Sequence, residues 1–236
     1  MTAMSRDPRP DGVRAGRLSF RRPRQAGSGA ASPERGLRAV DLGDGGPPAL
    51  VRVPAGPAGP IGLRLVLLLH GAGGSARRAL DLMLPVADAG DLLLAAPQAV
   101  GPTWDALVGG YGPDVARIDR LLGQVTAEHA VTSLAIGGFS DGASYALSLG
   151  IANGDVFDAV VALSPGYAAP LARNGRPRFF VSHGTADGVL PIERCSRRLV
   201  PALRDAGYDV RYVEFEGGHV VPGEVVELAA TWLAGG

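Results

Sequence analysis

The stretch that decides the fold is Ser133-Leu-Ala-Ile-Gly-Gly-Phe-Ser-Asp-Gly-Ala-Ser-Tyr-Ala-Leu-Ser-Leu-Gly-Ile151. Its first apolar residues predict a buried strand, and the apolar residues at helical spacing after it predict a helix. Glycines at 138 and 142 leave room for a direct strand-to-helix turn, because a side chain at either position would collide with the other backbone. Ser140 would then have strained backbone geometry and an exposed hydroxyl at a helix N-terminus. The pattern Gly-x-Ser-x-Gly at 138–142 therefore makes Ser140 a candidate nucleophile. The alternative interpretation is a glycine-rich turn that carries a serine by chance, since the chain contains 35 glycines.

Length and composition fit one α/β domain. The chain has 236 residues, of which 46% are hydrophobic, enough to fill a sizeable core. Its single cysteine, Cys195, excludes an intrachain disulfide and suits a reducing compartment, so we expect a cytoplasmic protein. No window approaches the roughly 20 apolar residues of a membrane-spanning helix, and residues 1–25 lack the apolar segment of a secretory signal. We therefore expect no stable membrane insertion.

Basic charge is concentrated at the N-terminus. Residues 1–38 carry nine arginines against three carboxylates, whereas the whole chain balances 23 basic residues with 23 acidic ones. Low hydrophobicity and several prolines predict that residues 1–36 form a flexible, solvated leader. A basic arm can bind nucleic acid or anionic lipid, but this one lacks interleaved aromatic residues beyond Phe20. No nucleic-acid partner is expected, and the sequence makes no prediction of oligomeric state.

Residues 37–236 are predicted to form a single domain in which strands alternate with helices. Residues 37–42 and 49–53 alternate apolar and polar side chains around a Gly/Pro turn, which indicates a hairpin. The later pattern indicates a mostly parallel, doubly wound sheet covered on both faces, with the hairpin as its antiparallel edge. The later elements are helices at 75–89, 114–130, 192–206 and 223–233, a loop at 97–112, and strands at 63–69, 92–96, 156–163, 179–182 and 210–215.

Histidines are the candidate bases for Ser140, because a serine alcohol is a poor nucleophile until a base takes its proton. His219 follows the last predicted strand, in a loop that can reach over the strand ends, and it is the predicted base. His183 and His70 each precede a glycine at a strand end and are interpreted as structural. His129 lies near a helix C-terminus, where we expect it to be solvated or paired with the helix dipole.

A carboxylate must hold the tautomer of the base, and Asp187 is the candidate. It follows the predicted strand at 179–182 and precedes His219 in the chain, which gives the order serine, acid, histidine. Glu193 is the rival, but it lies on the following helix. The alternative interpretation of Asp187 is a turn residue, because Asp-Gly is a common turn dipeptide.

Two backbone N–H groups are candidates for an oxyanion hole. One belongs to Asp141, which follows the candidate nucleophile. The other belongs to the glycine-rich loop His70-Gly-Ala-Gly-Gly74 after the strand at 63–69, where Ala72 is favoured and Gly73 is second. This loop lacks the Gly-Lys-Ser/Thr ending of a phosphate-binding loop, so a nucleotide-binding role is not indicated.

These segments together resemble bacterial α/β-hydrolases of the phospholipase/carboxylesterase type, with relatives among polyhydroxybutyrate-depolymerase-like and dienelactone-hydrolase-like esterases. The resemblance covers roughly residues 37–233. It rests on Leu-Leu-His-Gly-Ala-Gly-Gly at 68–74, Gly-Gly-Phe-Ser-Asp-Gly-Ala-Ser at 137–144, Ser-His-Gly-Thr-Ala-Asp at 182–187 and Gly-Gly-His at 217–219.

The resemblance implies that Ser140, Asp187 and His219 form a catalytic triad, that Ala72 donates to the oxyanion, and that no cofactor is used. Dienelactone hydrolases usually have cysteine where this chain has Ser140, and that difference favours simple ester hydrolysis. Cys195 is predicted to lie on a helix away from the turn, so it does not replace the serine.

The predicted site is open, because the interval between the strands at 156–163 and 179–182 is about 15 residues and leaves no room for a cap domain. Such a site suits small or extended substrates. Candidate pocket residues lie in loops at the carboxyl edge of the sheet, where open α/β folds bind ligands. They are Trp104, Tyr111, Tyr167, Val189, Leu190 and Val220. Their alternative role is loop packing. Asp105 and Asp114 are weak evidence for a metal, and none is expected.

The leading hypothesis is a metal-independent serine carboxylic-ester hydrolase whose partner is a small-molecule ester. A peptidase or a thioesterase that uses the same three residues is the alternative within enzymes. A non-catalytic binding protein on a hydrolase scaffold is the alternative outside them.

Overall fold

Eight strands form one sheet in the part of the chain that the computed structural model describes, namely residues 9–22, 35–55, 62–89 and 91–235. The strands are β1 (Gly36–Val40), β2 (Ala49–Val53), β3 (Leu63–Leu69), β4 (Leu92–Ala96), β5 (Val131–Phe139), β6 (Ala159–Leu163), β7 (Arg178–Gly184) and β8 (Val210–Phe215). The helices are α1 (Arg9–Arg14), α2 (Ala76–Asp81), α3 (Leu84–Ala87), α4 (Asp105–Val108), α5 (Pro113–Glu128), α6 (Asp141–Ala152), α7 (Ser196–Asp205) and α8 (Gly223–Ala234).

The strand order is β1-β2-β4-β3-β5-β6-β7-β8. β2 runs antiparallel to both of its neighbours, and the pairs from β4 to β8 are parallel, which confirms the predicted mostly parallel sheet with an antiparallel hairpin. β4 lies on one side of β3, and the next strand, β5, lies on the other. Open α/β sheets bind ligands at such a change of direction, beyond the carboxyl ends of the strands. The β3 and β5 ends are therefore where the site is expected.

Both faces of the sheet are buried, and the central strand β3 contributes to both. Leu65 and Leu67 belong to the core under α5 and α6, while Val66 and Leu68 belong to the core under α2, α3 and α8. This continuous burial explains why β3 is an almost unbroken apolar run rather than an alternating one.

The helix predicted at 75–89 is interrupted. Ser75 does cap its start, since the Ser75 Oγ accepts the Arg78 N–H at 3.3 Å. The first helix, α2, ends at Asp81, and a turn at Met83 leads into α3, which carries Pro85 in its first turn. Proline lacks an N–H and crowds the carbonyl four residues earlier, so one continuous helix cannot pass this position.

The prediction that residues 1–36 form a flexible leader is wrong for the described residues 9–22. Leu18 is only 2% exposed and belongs to the core. The Leu18 N–H donates to Asn153 Oδ1 at 2.9 Å, and Asn153 Nδ2 donates to the Gly16 carbonyl at 2.7 Å. The rest of the predicted leader, residues 1–8 and 23–34, lies outside the described residues.

Charge complementarity explains why this basic segment packs against the domain. Arg17 forms a bidentate pair with Asp155, and Arg22 pairs with Asp158. The backbone N–H groups of residues 19 and 20 both donate to the carboxylate of Asp119 on α5. Three carboxylates of the folded domain thus neutralise or hydrogen-bond a segment that looks disordered from composition alone.

Among the helices that the structure describes, none combines the length and apolar character needed to cross a bilayer.

Candidate active site

Ser140 lies at the turn between β5 and α6, with φ 57° and ψ −120°. This backbone conformation is strained for a residue with a side chain. The glycines predicted to permit the turn do so: a Cβ on Gly138 would lie 2.6 Å from the Leu69 carbonyl oxygen, and one on Gly142 would lie 2.2 Å from it. The turn is therefore pressed against the end of β3, and it projects the Ser140 side chain toward the loops at the carboxyl edge.

His219 lies within hydrogen-bonding distance of Ser140. The loop after β8 places His219 Nε2 at 2.9 Å from Ser140 Oγ. The His219 ring packs on Phe139, with the ring centroids 4.6 Å apart. Phe139 precedes the serine in the Gly-x-Ser-x-Gly pattern, and its contact with His219 was not predicted. It restrains the orientation of the imidazole beside the serine.

Asp187 completes a hydrogen-bonded line of three side chains. His219 Nδ1–H donates to Asp187 Oδ2 at 2.6 Å, so Nε2 carries the lone pair that accepts the Ser140 hydroxyl. Burial opposes ionisation of the Asp187 carboxyl, but hydrogen bonds from His219, Leu190 and Val189 outweigh it and hold the pKa below its ordinary value. The carboxylate is thus charged at neutral pH and fixes the His219 tautomer. Glu193, the rival, instead pairs with Arg197.

The candidate oxyanion donors come from the loop after β3 and from the first residue of α6. Gly73 N–H donates to the Pro102 carbonyl at 2.7 Å, so that group is already used. Within the described segments no acceptor bonds the Ala72 N–H, which leaves Ala72 as the better candidate of the two. Asp141 begins α6, where the first N–H groups of a helix have no intrahelical partner.

His70 fixes this loop and is structural, as the sequence indicated. Its Nδ1–H donates to the Gly71 carbonyl at 2.8 Å, and its Nε2 accepts the Ala99 N–H at 3.1 Å. Burial lowers the pKa of His70 and keeps the ring neutral. The side chain therefore links the end of β3 to the loop after β4.

Trp104 does not line a pocket, so its assignment to substrate binding is wrong. It is 0% exposed, and its Nε1–H donates to the His70 carbonyl at 2.8 Å. Its ring stacks on Tyr145 of α6 at 5.2 Å between centroids. The loop at 97–112 folds inward over α6, so the indole becomes part of the support under the oxyanion loop.

Asp105 and Asp114 organise the same loop through hydrogen bonds. Asp105 accepts the backbone N–H groups of residues 112 and 114 and the Tyr145 hydroxyl, which lies 2.7 Å away. Asp114 accepts the N–H groups of residues 100 and 105. Their oxygens therefore serve the loop backbone, and burial raises the pKa of Asp114. Nearby, the Thr103 hydroxyl donates to Asp141 Oδ2 at 2.8 Å, a contact that the sequence did not reveal.

His183 is buried beside the candidate acid and is structural, as expected. Its Nε2–H donates to the Leu190 carbonyl at 2.8 Å, and its Nδ1 accepts the Ser196 hydroxyl at 2.7 Å. The same Nε2 lies 3.3 Å from Asp187 Oδ2. His129 is also buried, so the expectation that it is solvated is wrong; it lies at the C-terminus of α5, and burial lowers its pKa.

The other predicted pocket residues lie in loops that follow strands of the sheet. Tyr111 and Tyr167 line a cavity of about 170 Å³ together with Tyr145 and Leu171. Val189 and Val220 are 67% and 52% exposed in the loops that carry Asp187 and His219. Leu190 packs beside Gly166. Tyr111 is only 7% exposed. The binding role of these five residues remains a prediction.

Ser144 is a further polar residue that sequence reasoning missed. It lies one helical turn after Ser140, and its hydroxyl donates to the Ser140 carbonyl at 3.2 Å. The same oxygen accepts the Gly166 N–H at 2.9 Å, which ties the β6–β7 loop to α6. A serine four residues after the nucleophile, on a helix face turned to the sheet, was the signal that could have identified it.

No protein-family model and no curated protein matches the chain. Solved structures do match. The crystal structure of esterase PE8 is 25% identical, covers 78% of this chain and 95% of its own, and superposes with a TM-score of 0.64. A thermostable esterase is 22% identical over 84% of this chain with a TM-score of 0.68, and the match spans 62% of that esterase. A Bacillus cereus carboxylesterase is 19% identical over 78% of this chain and 92% of its own, with a TM-score of 0.60.

The sheet order, the Ser140 turn and these similarities define an α/β-hydrolase fold with a serine at the strand-to-helix turn. Within that class, the similarity to esterase PE8 confirms the predicted resemblance to serine esterases.

Proposed function

We propose that the chain is a serine carboxylic-ester hydrolase that acts on small or exposed esters through an acyl-enzyme on Ser140. The observation that best supports this is the hydrogen-bonded line from Ser140 through His219 to Asp187, with distances of 2.9 and 2.6 Å. A nucleophile bonded to a base that is oriented by a third group is the arrangement that acyl transfer requires.

The reaction proceeds in two half-reactions. Ser140 Oγ attacks the ester carbonyl carbon while His219 Nε2 takes its proton, and the Asp187 carboxylate stabilises the resulting imidazolium. Collapse of the tetrahedral intermediate breaks the bond to the alcohol oxygen, which takes the proton from Nε2–H. A water then attacks the acyl-enzyme, again with His219 as base, and Ser140 departs with the returned proton.

Charge that develops on the carbonyl oxygen is assigned to the N–H groups of Ala72 and Asp141. Each such donor typically stabilises the transition state by about 3 kcal/mol. An oxyanion hole works only when its donors are fixed before the charge appears. The hydrogen bonds that hold the loops after β3 and β4 fix the position of the Ala72 N–H in this way.

Exposed apolar side chains occur in the connections that follow the carboxyl ends of several strands. In the described residues, most of the large hydrophobic side chains that remain exposed lie in the connections after β4, β6, β7 and β8. They are Val100, Val108, Tyr167, Leu171, Val189 and Val220. Open α/β sheets bind ligands beyond the carboxyl ends of their strands. Exposed apolar side chains there suit the apolar part of an ester that is presented at an open site.

The single cysteine supports a reducing compartment, so we also propose a cytoplasmic location. Cys195 is buried, and burial raises the pKa of its thiol, which disfavours the reactive thiolate. Fractionation of cells that express the chain would test the location directly.

Hydrolysis of 4-nitrophenyl esters tests the function. The Ser140→Ala variant should lose at least about 10⁴-fold in kcat, because the residual rate would come from binding and the oxyanion hole alone. Ser133→Ala, at the opposite end of β5, is the matched control and should retain wild-type turnover. A fluorophosphonate probe should label the wild-type chain and spare the Ser140→Ala variant.

Alternative substrates are separated in the same assay. Thioesters and aminoacyl-proline amides are compared with the oxygen ester by kcat/KM. A higher kcat/KM for a thioester or an amide would make that compound, rather than the oxygen ester, the preferred substrate class. The roles of the three residues would stay the same. Undiminished ester turnover in Ser140→Ala, or failure of the probe to label wild type, would reject the serine mechanism.

A further inference from the structure

An open groove of about 280 Å³ lies between α7 and the loop that joins β6 to β7. Its apolar wall includes Ile151 at the end of α6 and Leu199 and Leu203 on α7. Three exposed arginines also line it, namely Arg173, Arg194 and Arg198. None of the residues that line the groove is acidic. The groove therefore combines an apolar surface with a concentration of positive charge.

The described arginines fall into two groups, those that form an ion pair with a carboxylate and those that form none. In the described segments, eight arginines form ion pairs with carboxylates, including Arg17, Arg117 and Arg197. No described carboxylate pairs with Arg173, Arg194 or Arg198. The nearest acidic side chain in sequence, that of Glu193, is bonded to Arg197 instead. Within the part of the chain that the structure describes, no ion pair neutralises the charge of these three arginines.

The groove begins beside the candidate catalytic residues. Gly166 and Tyr167 form its wall at the β6–β7 loop. Gly166 N–H donates to Ser144 Oγ, and the Ser144 hydroxyl donates to the carbonyl of Ser140. On the other side, a Cβ on Gly166 would touch Leu190, whose N–H donates to Asp187. The wall of the groove is therefore packed between the Ser140 turn and the Asp187 loop.

Tyr167 links the groove to the cavity beside α6. It lines the groove and also the 170 Å³ cavity formed with Tyr111 and Tyr145. Its side chain is 42% exposed. Partial burial raises the pKa of its phenol, and the charge of Asp141 raises that pKa further. A chain that extends away from Ser140 across Tyr167 would enter the groove directly.

We propose that this groove is a subsite for a carboxylate at the far end of the ester substrate, so that the preferred substrates are half-esters of apolar dicarboxylic acids. The inference rests on the proposed ester hydrolysis and adds the substrate class. Guanidinium groups bind carboxylates in a bidentate manner, which favours arginine at such a site. The apolar wall accommodates the methylene chain that separates the two ends of the substrate.

The experiment compares 4-nitrophenyl half-esters of glutaric, suberic and sebacic acids with the 4-nitrophenyl esters of the monocarboxylic acids of equal length. Wild type should prefer the charged member of at least one pair in kcat/KM, with the difference in KM. The triple variant Arg173→Gln, Arg194→Gln, Arg198→Gln should lose this preference, on the order of tenfold, because exposed ion pairs contribute modestly and three act together. Its turnover of the neutral esters should equal that of wild type.

Arg211→Gln is the matched control, because Arg211 is exposed on β8 and has no carboxylate partner among the described residues. It should leave the preference unchanged. Raising the salt concentration should weaken the preference in wild type and have no effect on the triple variant. Equal kcat/KM for charged and neutral esters in wild type, or a preference that survives in the triple variant, would overturn the proposal.

Binding separates this proposal from the proposed function. Calorimetry with Ser140→Ala measures the affinity of the suberate half-ester for the protein without turnover. Tighter binding of the charged ester than of the neutral one, lost in the arginine variants, supports the groove even if another reaction is catalysed. Equal affinity for both esters rejects the groove and leaves ester hydrolysis standing.

Discussion

Replacing Asp187 with asparagine is the sharpest test of the candidate triad, because both oxygens of the carboxylate have defined partners. Oδ1 accepts the N–H groups of Val189 and Leu190 at 2.9 and 2.8 Å. Oδ2 accepts the Nδ1–H of His219 at 2.6 Å. An asparagine side chain has the same shape but only one acceptor oxygen.

The surrounding donors decide how that asparagine must lie. Its NH₂ group cannot face two backbone N–H donors, so its oxygen replaces Oδ1 and its NH₂ replaces Oδ2. The NH₂ then donates to His219 Nδ1, which can accept only when that nitrogen carries no proton. The proton moves to Nε2, and Nε2 can no longer accept the hydroxyl of Ser140. Asp187→Asn thus keeps the geometry and removes the base.

A wrong tautomer of this kind costs about 10⁴ in kcat, which corresponds to about 5.4 kcal/mol of transition-state stabilisation at 1.36 kcal/mol per factor of ten. KM should change little, because the substitution leaves the loops in place. The measurement is steady-state hydrolysis of a 4-nitrophenyl ester, with circular dichroism and thermal unfolding to verify the fold.

Glu193→Gln is the control, since Glu193 is the rival carboxylate and its partner is Arg197. It should leave kcat within about twofold of wild type. Retention of more than about a tenth of wild-type kcat by Asp187→Asn, in a folded protein, would refute the tautomer argument. A large loss in Glu193→Gln with little loss in Asp187→Asn would transfer the role of the acid to Glu193.

Two further predictions concern stability. Asp44→Asn should lower the free energy of unfolding by about 2–3 kcal/mol, because Arg117 is buried and its guanidinium donates to both Asp44 oxygens. Hydrogen bonding from Gly46 and the charge of Arg117 outweigh burial and lower the pKa of Asp44, so the difference from wild type should be full at neutral pH and shrink in urea titrations below about pH 4. Asn153→Ala should release residues 9–22, since it removes the partners of Leu18 and Gly16. We expect a loss of about 2 kcal/mol and faster tryptic cleavage within that segment; unchanged cleavage would show that the arginine pairs alone hold it.

The strand-to-helix turn could be predicted from sequence because its constraint is local. Only a residue without a side chain fits where two backbones approach within van der Waals distance, and Gly138 and Gly142 satisfy that condition by themselves. The parallel sheet could be predicted because apolar strand segments alternate with helical segments along the chain. The grouping of Ser140, Asp187 and His219 could be predicted from the topology, since each residue lies after a strand of the same sheet.

The misassigned residues depend on contacts between distant parts of the chain. Trp104 was predicted to line a pocket because it lies in a loop, but the path of that loop is set by Asp105 and Asp114, which bond its backbone. Residues 9–22 looked disordered because they belong to a basic N-terminal stretch of low hydrophobicity that contains several prolines. Their packing depends on Asp155 and Asp119, more than 90 residues away in the chain, which no local pattern encodes.

The role of His219 is better supported by the surroundings of the other histidines than by its own position alone. His70 and His183 each bond a backbone carbonyl with one ring nitrogen and a donor with the other, so neither has a nitrogen left to accept a proton from substrate or serine. Burial lowers the pKa of both rings, which makes each of them a fixed, neutral link between loops. His219 differs from both, because its Nδ1 lies 2.6 Å from the Asp187 carboxylate and its Nε2 bonds the hydroxyl of the candidate nucleophile, Ser140. A base must gain and lose a proton while the hydrogen bonds that hold the surrounding loops stay intact. His70 and His183 supply such hydrogen bonds, so His219 can exchange a proton without disturbing the loops.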